Sequence, residues 1–218
     1  MIQIDNWLQA YLTAVEAAFQ NRIWFVGIQG SYARGEATEN SDIDVVLILD
    51  VLTPEDIMTY RILLDRLPHR EFVCGFFSGR EELLSWDSTD LFQFYYDTLP
   101  IRGSLDSIVP LLDKDAVRHA VKIGAGNIYH GCVHNLLHSQ DSVTLRNLYK
   151  TALFTLRAVV FLRTSRYCYH LDELKPRLSN QEQQILEIAI SLKNYGSVHF
   201  SEMSEVLFLW AQSIISSI

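Results

Sequence analysis

Apolar residues recur at helical spacing near the start of the chain and again through its whole second half, with shorter strand-like runs between. In residues 4–20, Ile4, Leu8, Leu12, Val15, Ala18 and Phe19 fall on one side of a helix, which Asp5 or Asn6 can cap. Residues 22–29 (RIWFVGIQ) are apolar and β-prone and predict a first strand. A short helix is expected over 31–35. The nearly unbroken aliphatic run 43–49 then reads as a strand buried on both faces. Pro54 suits the start of a helix over 54–67, and Pro68 ends it. Residues 71–77 (EFVCGFF) predict a third strand, Ser78-Gly79 a turn into a short helix near 80–86, and Leu91–Tyr96 (LFQFYY) a fourth strand. From Leu105 onward the pattern is helical, with helices expected over 105–112, 115–138, 142–164, 181–193 and 199–217. Turns are marked by Ser139-Gln140-Asp141, Pro176 and Asn194-Tyr195-Gly196. The fold class is therefore α+β: a small mixed sheet covered by helices over residues 1–110, then a helical bundle over 111–218.

Composition narrows the possibilities. At 218 residues and 49% hydrophobic, the chain can bury a substantial core. No apolar run approaches the roughly 20 residues that cross a bilayer, and the early Asp5 does not suit a signal peptide, so a cytoplasmic protein without membrane contact is expected. Cys74, Cys132 and Cys168 are scattered and predict reduced core thiols. A net charge of −8 disfavours a long nucleic acid as partner and suits a small, cationic or protein acceptor.

The chemistry concentrates in Gly30-Ser31-Tyr32-Ala33-Arg34-Gly35 and Asn40-Ser41-Asp42-Ile43-Asp44. Side chains alternate along a strand, so Asp42 and Asp44 point the same way, and paired carboxylates suit a hard cation such as Mg²⁺. The Gly30-Ser31 turn offers backbone N–H groups to phosphates without a bulky side chain in the way. Ser31 can add its hydroxyl, and Arg34 a fork of donors that matches phosphate oxygens.

The string hydrophobic-Gly-Ser, a gap of ten residues, then Asp-Ile-Asp resembles the polymerase-β-type nucleotidyltransferase superfamily. The likeness is greatest to its small stand-alone members, the minimal and kanamycin nucleotidyltransferase-like enzymes. The resemblance implies transfer of a nucleoside monophosphate, AMP from ATP being the expected case, to a hydroxyl of a small-molecule or protein acceptor. Pyrophosphate would leave, with two Mg²⁺ ions held by Asp42 and Asp44. It also implies a third acidic residue on a neighbouring strand, for which Glu71 is the first candidate and Asp97 the second. A homodimer through the helical half is a further expectation. An antitoxin-like interaction module and an inactive nucleotide-binding protein are the alternatives of different class.

Other constellations carry weaker chemistry. His130, His134 and His138 repeat every four residues and can either bind zinc or sit as polar positions on a bundle helix. Arg163 and His170 resemble the loose Arg-His spacing of HEPN ribonuclease domains, but also read as a helix end and a loop. Lys150 and Arg157 read as a solvated stripe or as nucleotide contacts, and Phe92, Phe94, Tyr95 and Tyr96 as sheet packing or a base-stacking surface.

Overall fold

The computed structural model describes residues 2–194 and 196–218. Helix α1 (Ile4–Phe19) precedes strands β1 (Ile23–Gln29) and β2 (Ile43–Leu49), with one helical turn, α2 (Gly30–Ala33), after β1. Helix α3 (Pro54–Leu64), strand β3 (Val73–Gly79), helices α4 (Arg80–Leu84) and α5 (Ser88–Asp97), and strand β4 (Leu99–Arg102) follow. The remainder is helical: α6 (Lys114–His134), α7 (Ser142–Thr164), α8 (Leu171–Leu174), α9 (Asn180–Lys193) and α10 (Phe200–Ser217). The chain forms two compact units, Met1–Asp87 with Phe94–Leu111, and Ser88–Gln93 with Leu112–Ile218.

In the first unit the sheet order is β3-β2-β1-β4. β1 is antiparallel to β2 and β4, whereas β2 and β3 run parallel, so the sheet is mixed. The nearly unbroken aliphatic run of β2 is explained by its central place. Ile43, Val45, Leu47 and Leu49 join the core formed with α1 and α3, and Val46 and Ile48 are buried as well. The buried stripe of α1 is Trp7, Tyr11, Val15 and Phe19, while Ile4, Leu8 and Leu12 pack at its side. The expected apolar face is thus rotated, because the aromatic residues carry more surface to bury. Trp7 Nε1 donates to the Pro68 carbonyl at 2.8 Å, and the Tyr11 and Tyr60 hydroxyls meet at 2.7 Å. Burial pushes the Tyr60 phenol up to about 12.

One ion pair fastens α3 to the sheet. Asp56 accepts from Arg22 Nη1 and Nη2 at 2.8 Å each and closes a capping box with Thr53. The Arg22 guanidinium holds the Asp56 carboxyl well below the usual carboxylate range, against the opposing effect of desolvation, and Thr53 adds to the depression. Asp56→Ala is expected to cost on the order of 1 kcal/mol, mainly from the lost cap, because Arg22 keeps Asp50 and the Val51 carbonyl as partners and is partly solvated. A carboxyl depressed on folding stabilises the protein above its unfolded value, near pH 4, and loses that contribution as pH falls through the folded value. The gap between wild type and Asp56→Ala in urea midpoint should therefore be full at neutral pH and narrow below about pH 4.

The segment Leu91–Tyr96, expected as a strand, is the middle of helix α5, and the fourth strand lies at Leu99–Arg102 instead. Its aromatic residues favour strands by propensity, but Leu91, Phe94 and Thr98 are buried at helical spacing. Tertiary burial decided the period. Phe94 packs edge-on against Phe76 at 5.1 Å in the first unit, and Phe92 against Phe161 at 5.2 Å in the second.

The second unit is built on α6, α7, α9 and α10, with α6 packed on both α7 and α10. Close approach of α6 and α7 uses glycine: a Cβ at Gly124 would meet Thr155 Oγ1 at 2.5 Å, and one at Gly131 would meet Leu148 Cδ2 at 2.5 Å. The expected helix over 115–138 ends in a π-helical turn, Asn135–Ser139. Arg163 is engaged by both oxygens of Glu182, at 2.9 and 2.7 Å, and His170 is the exposed residue ahead of α8. Arg157 is buried and donates to the Cys168 and Tyr169 carbonyls, so it serves the bundle rather than a solvated stripe.

Candidate active site

The site is built where β1 ends and β2 begins. Gln29, the last residue of β1, lies opposite Asp44 in the antiparallel register. The chain then turns at Gly30, whose φ of +68° suits glycine. The bend is pressed onto the acid: a Cβ at Gly30 would stand 2.0 Å from Asp44 Oδ2 and 3.1 Å from its Cγ. After the bend, Glu36 N donates to Ser31 O at 2.8 Å and Arg34 N to Gly30 O at 3.3 Å. The loop returns through a Thr38–Ser41 turn, closed by Ser41 N to Thr38 O at 3.2 Å and Thr38 N to Ser41 Oγ at 2.8 Å.

Asp42 is exposed just ahead of β2, and Asp44 is half-buried within it. The structure thus joins Gly30 to Asp44 and places Ser31 and Asp42 on the two arms of the same loop. The donors are hard oxygens with an exposed side, which fits Mg²⁺, an ion that keeps waters and takes phosphate oxygens beside one or two carboxylates. Among the described residues no group of three His, Cys, Asp or Glu side chains gathers as a metal site.

Arg34 is held at Nη1 by Asp97 Oδ1 at 2.8 Å, and its Nε lies 3.6 Å from Glu36 Oε2. Both members of the Arg34–Asp97 pair are largely buried, with 15% and 11% side-chain exposure. Beside it, Gln29 Nε2 donates to Thr98 Oγ1 at 2.7 Å. These two contacts tie the bend to the segment that enters β4. Asp97, weighed as a third metal carboxylate, is the counter-ion of Arg34.

Glu71 is exposed in a single 3-10 turn, Arg70–Phe72, ahead of β3. The parallel register sets Ile43 beside Val73 and Asp44 beside Cys74, so the residue level with Asp44 on β3 is a cysteine. Cys74 is exposed, unlike Cys132 and Cys168, and corrects the expectation of three core thiols. Sequence reasoning passed over it because an isolated cysteine carries no spacing signal. A cleft of about 480 Å³ lies elsewhere in this unit, lined by Asn6, Trp7, Glu39, His69 and Phe72 among others, and Asp42 and Asp44 do not line it.

The sequence model of the nucleotidyltransferase domain matches residues 11–119, half of the chain, and spans this whole constellation. The chain belongs to the nucleotidyltransferase domain family. This nucleotidyltransferase is accordingly a transferase. It is similar to the crystal structure of spectinomycin adenyltransferase AAD(9) from Enterococcus faecialis with ATP and spectinomycin. The TM-score is 0.60 at 11% identity, covering 97% of this chain and 99% of that one, which establishes a shared fold. A toxin-antitoxin structure with AMP-PNP aligns over 55% of this chain and 90% of that one at 16% identity, and its TM-score of 0.37 is too low to bear on function. By sequence, 44 residues are 39% identical to a protein of Methanocaldococcus jannaschii that carries the provisional name protein adenylyltransferase. The nucleotidyltransferase matches 44% of that relative's length, over 20% of its own. No helix among its described residues is long and apolar enough to cross a membrane.

Proposed function

We propose that this nucleotidyltransferase is a Mg²⁺-dependent adenylyltransferase that moves AMP from ATP to a hydroxyl of a small molecule or a protein. The observation that supports the reading is the close approach of the Gly30 bend to the Asp44 carboxylate. The two named adenylyltransferases among its relatives point to adenine nucleotide as donor and to either acceptor class.

Asp42 and Asp44 would hold two Mg²⁺ ions, which when bound supply positive charge to the triphosphate. Gly30 and Ser31 would receive the β- and γ-phosphates through their amides and the Ser31 hydroxyl. Arg34, anchored by Asp97, would keep the bend in place and turn its remaining guanidinium edge to the phosphates. The acceptor oxygen bonds to the α-phosphorus, the α–β bridging P–O bond breaks, and pyrophosphate leaves. The hydroxyl proton passes to a carboxylate at this end of the sheet. Glu71 is the candidate there, since it precedes β3 at the end where Asp42 precedes β2.

Incubating the protein with ATP labelled at the α-phosphate, Mg²⁺, and panels of aminocyclitols and proteins tests the reading. Label should move to an acceptor of one panel with equimolar pyrophosphate. Tight ATP binding with no transfer to either panel would identify a nucleotide-binding protein instead.

A further inference from the structure

We propose that His134 and His138, at the end of α6, form a two-imidazole clamp for a divalent transition-metal ion such as Zn²⁺ or Ni²⁺. The site lies in the second unit and is independent of the adenylyltransferase reading.

The geometry separates this pair from an ordinary histidine face. His130 and His134 are one α-helical turn apart, and their ring centroids stand 6.4 Å from each other. His134 and His138 are also four residues apart, yet their centroids are at 4.8 Å. The π-helical turn Asn135–Ser139 lies within the span of the closer pair and outside that of the wider one. With metal–nitrogen bonds of about 2.0–2.1 Å, two imidazoles on one tetrahedral ion hold their ring centres about 5 Å apart. The His134–His138 separation of 4.8 Å lies close to that value. The His130–His134 separation does not, so His130 would join only after turning its side chain.

The turn is fixed from inside. Asn135 is buried and makes a reciprocal pair with the Asp141 backbone, donating from Nδ2 to its carbonyl at 2.9 Å and accepting from its N–H at 2.9 Å. Gln140, in the left-handed region at φ +46°, closes the turn by donating its N–H to the Asn135 carbonyl at 2.8 Å. The backbone under both histidines is therefore set before any ion arrives, which removes much of the ordering cost of binding. His130, His134 and His138 are all exposed, so an ion can reach them and waters can complete its shell. Imidazole favours zinc, copper and nickel over Mg²⁺, so this clamp and the acid pair should select different metals.

Calorimetric titration of Zn²⁺ into the full chain, stripped of metal and held in millimolar Mg²⁺ to occupy the acid pair, tests the clamp. One ion per chain is expected. His134→Gln or His138→Gln should weaken it at least about tenfold, since even outer-sphere partners of a ligand are worth that much. His130→Gln should weaken it less. A measurement without variants is the carbethoxylation pattern by mass spectrometry: Zn²⁺ should protect His134 and His138 while leaving the exposed His170 reactive. Unchanged affinity in the doubly substituted chain, or equal protection of all three histidines, would overturn the proposal.

Discussion

Asp44→Asn and Asp42→Asn should each lower turnover about a thousandfold or more, because metal assistance is worth several kcal/mol and each 1.4 kcal/mol is tenfold. A carboxamide keeps the shape of the side chain and removes the charge that two cations would share. The two positions differ in burial. Asp42 is exposed ahead of β2, so its loss should leave the melting temperature nearly unchanged. Asp44 is half-buried, flanked by Gln29 and Cys74 in register, and confronted by the Gly30 backbone. Asp44→Asn keeps the shape of the side chain there, so a folded but inactive variant would separate loss of chemistry from loss of fold. Label transfer measured beside a thermal melt reads both effects, and an Asp44→Asn protein within tenfold of wild type would refute the assignment.

Gly30→Ala should be nearly as damaging as loss of an acid, and for a steric reason. The new methyl group would lie 2.0 Å from Asp44 Oδ2 in a backbone already at φ +68°. Either the bend lifts away or the carboxylate turns aside, and both separate the phosphate cradle from the acid pair. Gly35 supplies the control: its φ is +67°, yet a Cβ there would meet nothing within 4 Å. Gly35→Ala should pay only the left-handed strain, about 1 kcal/mol, with modest loss of activity. Gly30→Ala should lose roughly a hundredfold or more in turnover, as displacements of about 1 Å at a reacting centre do. Equal effects of the two substitutions would mean that the contact with Asp44 has no functional weight.

Much of this fold could be read from side-chain period and punctuation. The nearly unbroken aliphatic run 43–49 identified a central strand because burial on both faces leaves little room for polar side chains, and β2 covers those residues with Asp44 near its start. The helix expected over 142–164 is α7, capped by Asp141, whose carboxylate accepts from Thr144 N at 2.7 Å. Reading failed where local preference and tertiary burial disagree. The aromatic run 91–96 has strand propensity but folds as part of α5, since its buried positions follow a helical period that only the finished packing reveals.

Within the site, the Gly-Ser and Asp-Ile-Asp elements were legible because they are close in sequence and each demands a particular backbone. The pairing of Arg34 with Asp97 was not, since 63 residues separate them and opposite charges carry no address along a chain. The exposed place of Cys74 beside Asp44 depends on the register of two parallel strands, which a crossover connection leaves unstated. The imidazole spacing at His134 and His138 occurs across a π turn that no residue in it announces.

The central claim is that the Gly30 bend and the acid pair together receive a metal-bound triphosphate. Equilibrium titration of a fluorescent ATP analogue, with Mg²⁺ and then with excess chelator, tests it without knowledge of the acceptor. Mg²⁺ should tighten binding to the wild-type chain and should have no effect on the Asp42→Asn/Asp44→Asn chain. Binding of the same strength in chelator, or the same Mg²⁺ effect in both chains, would contradict the account.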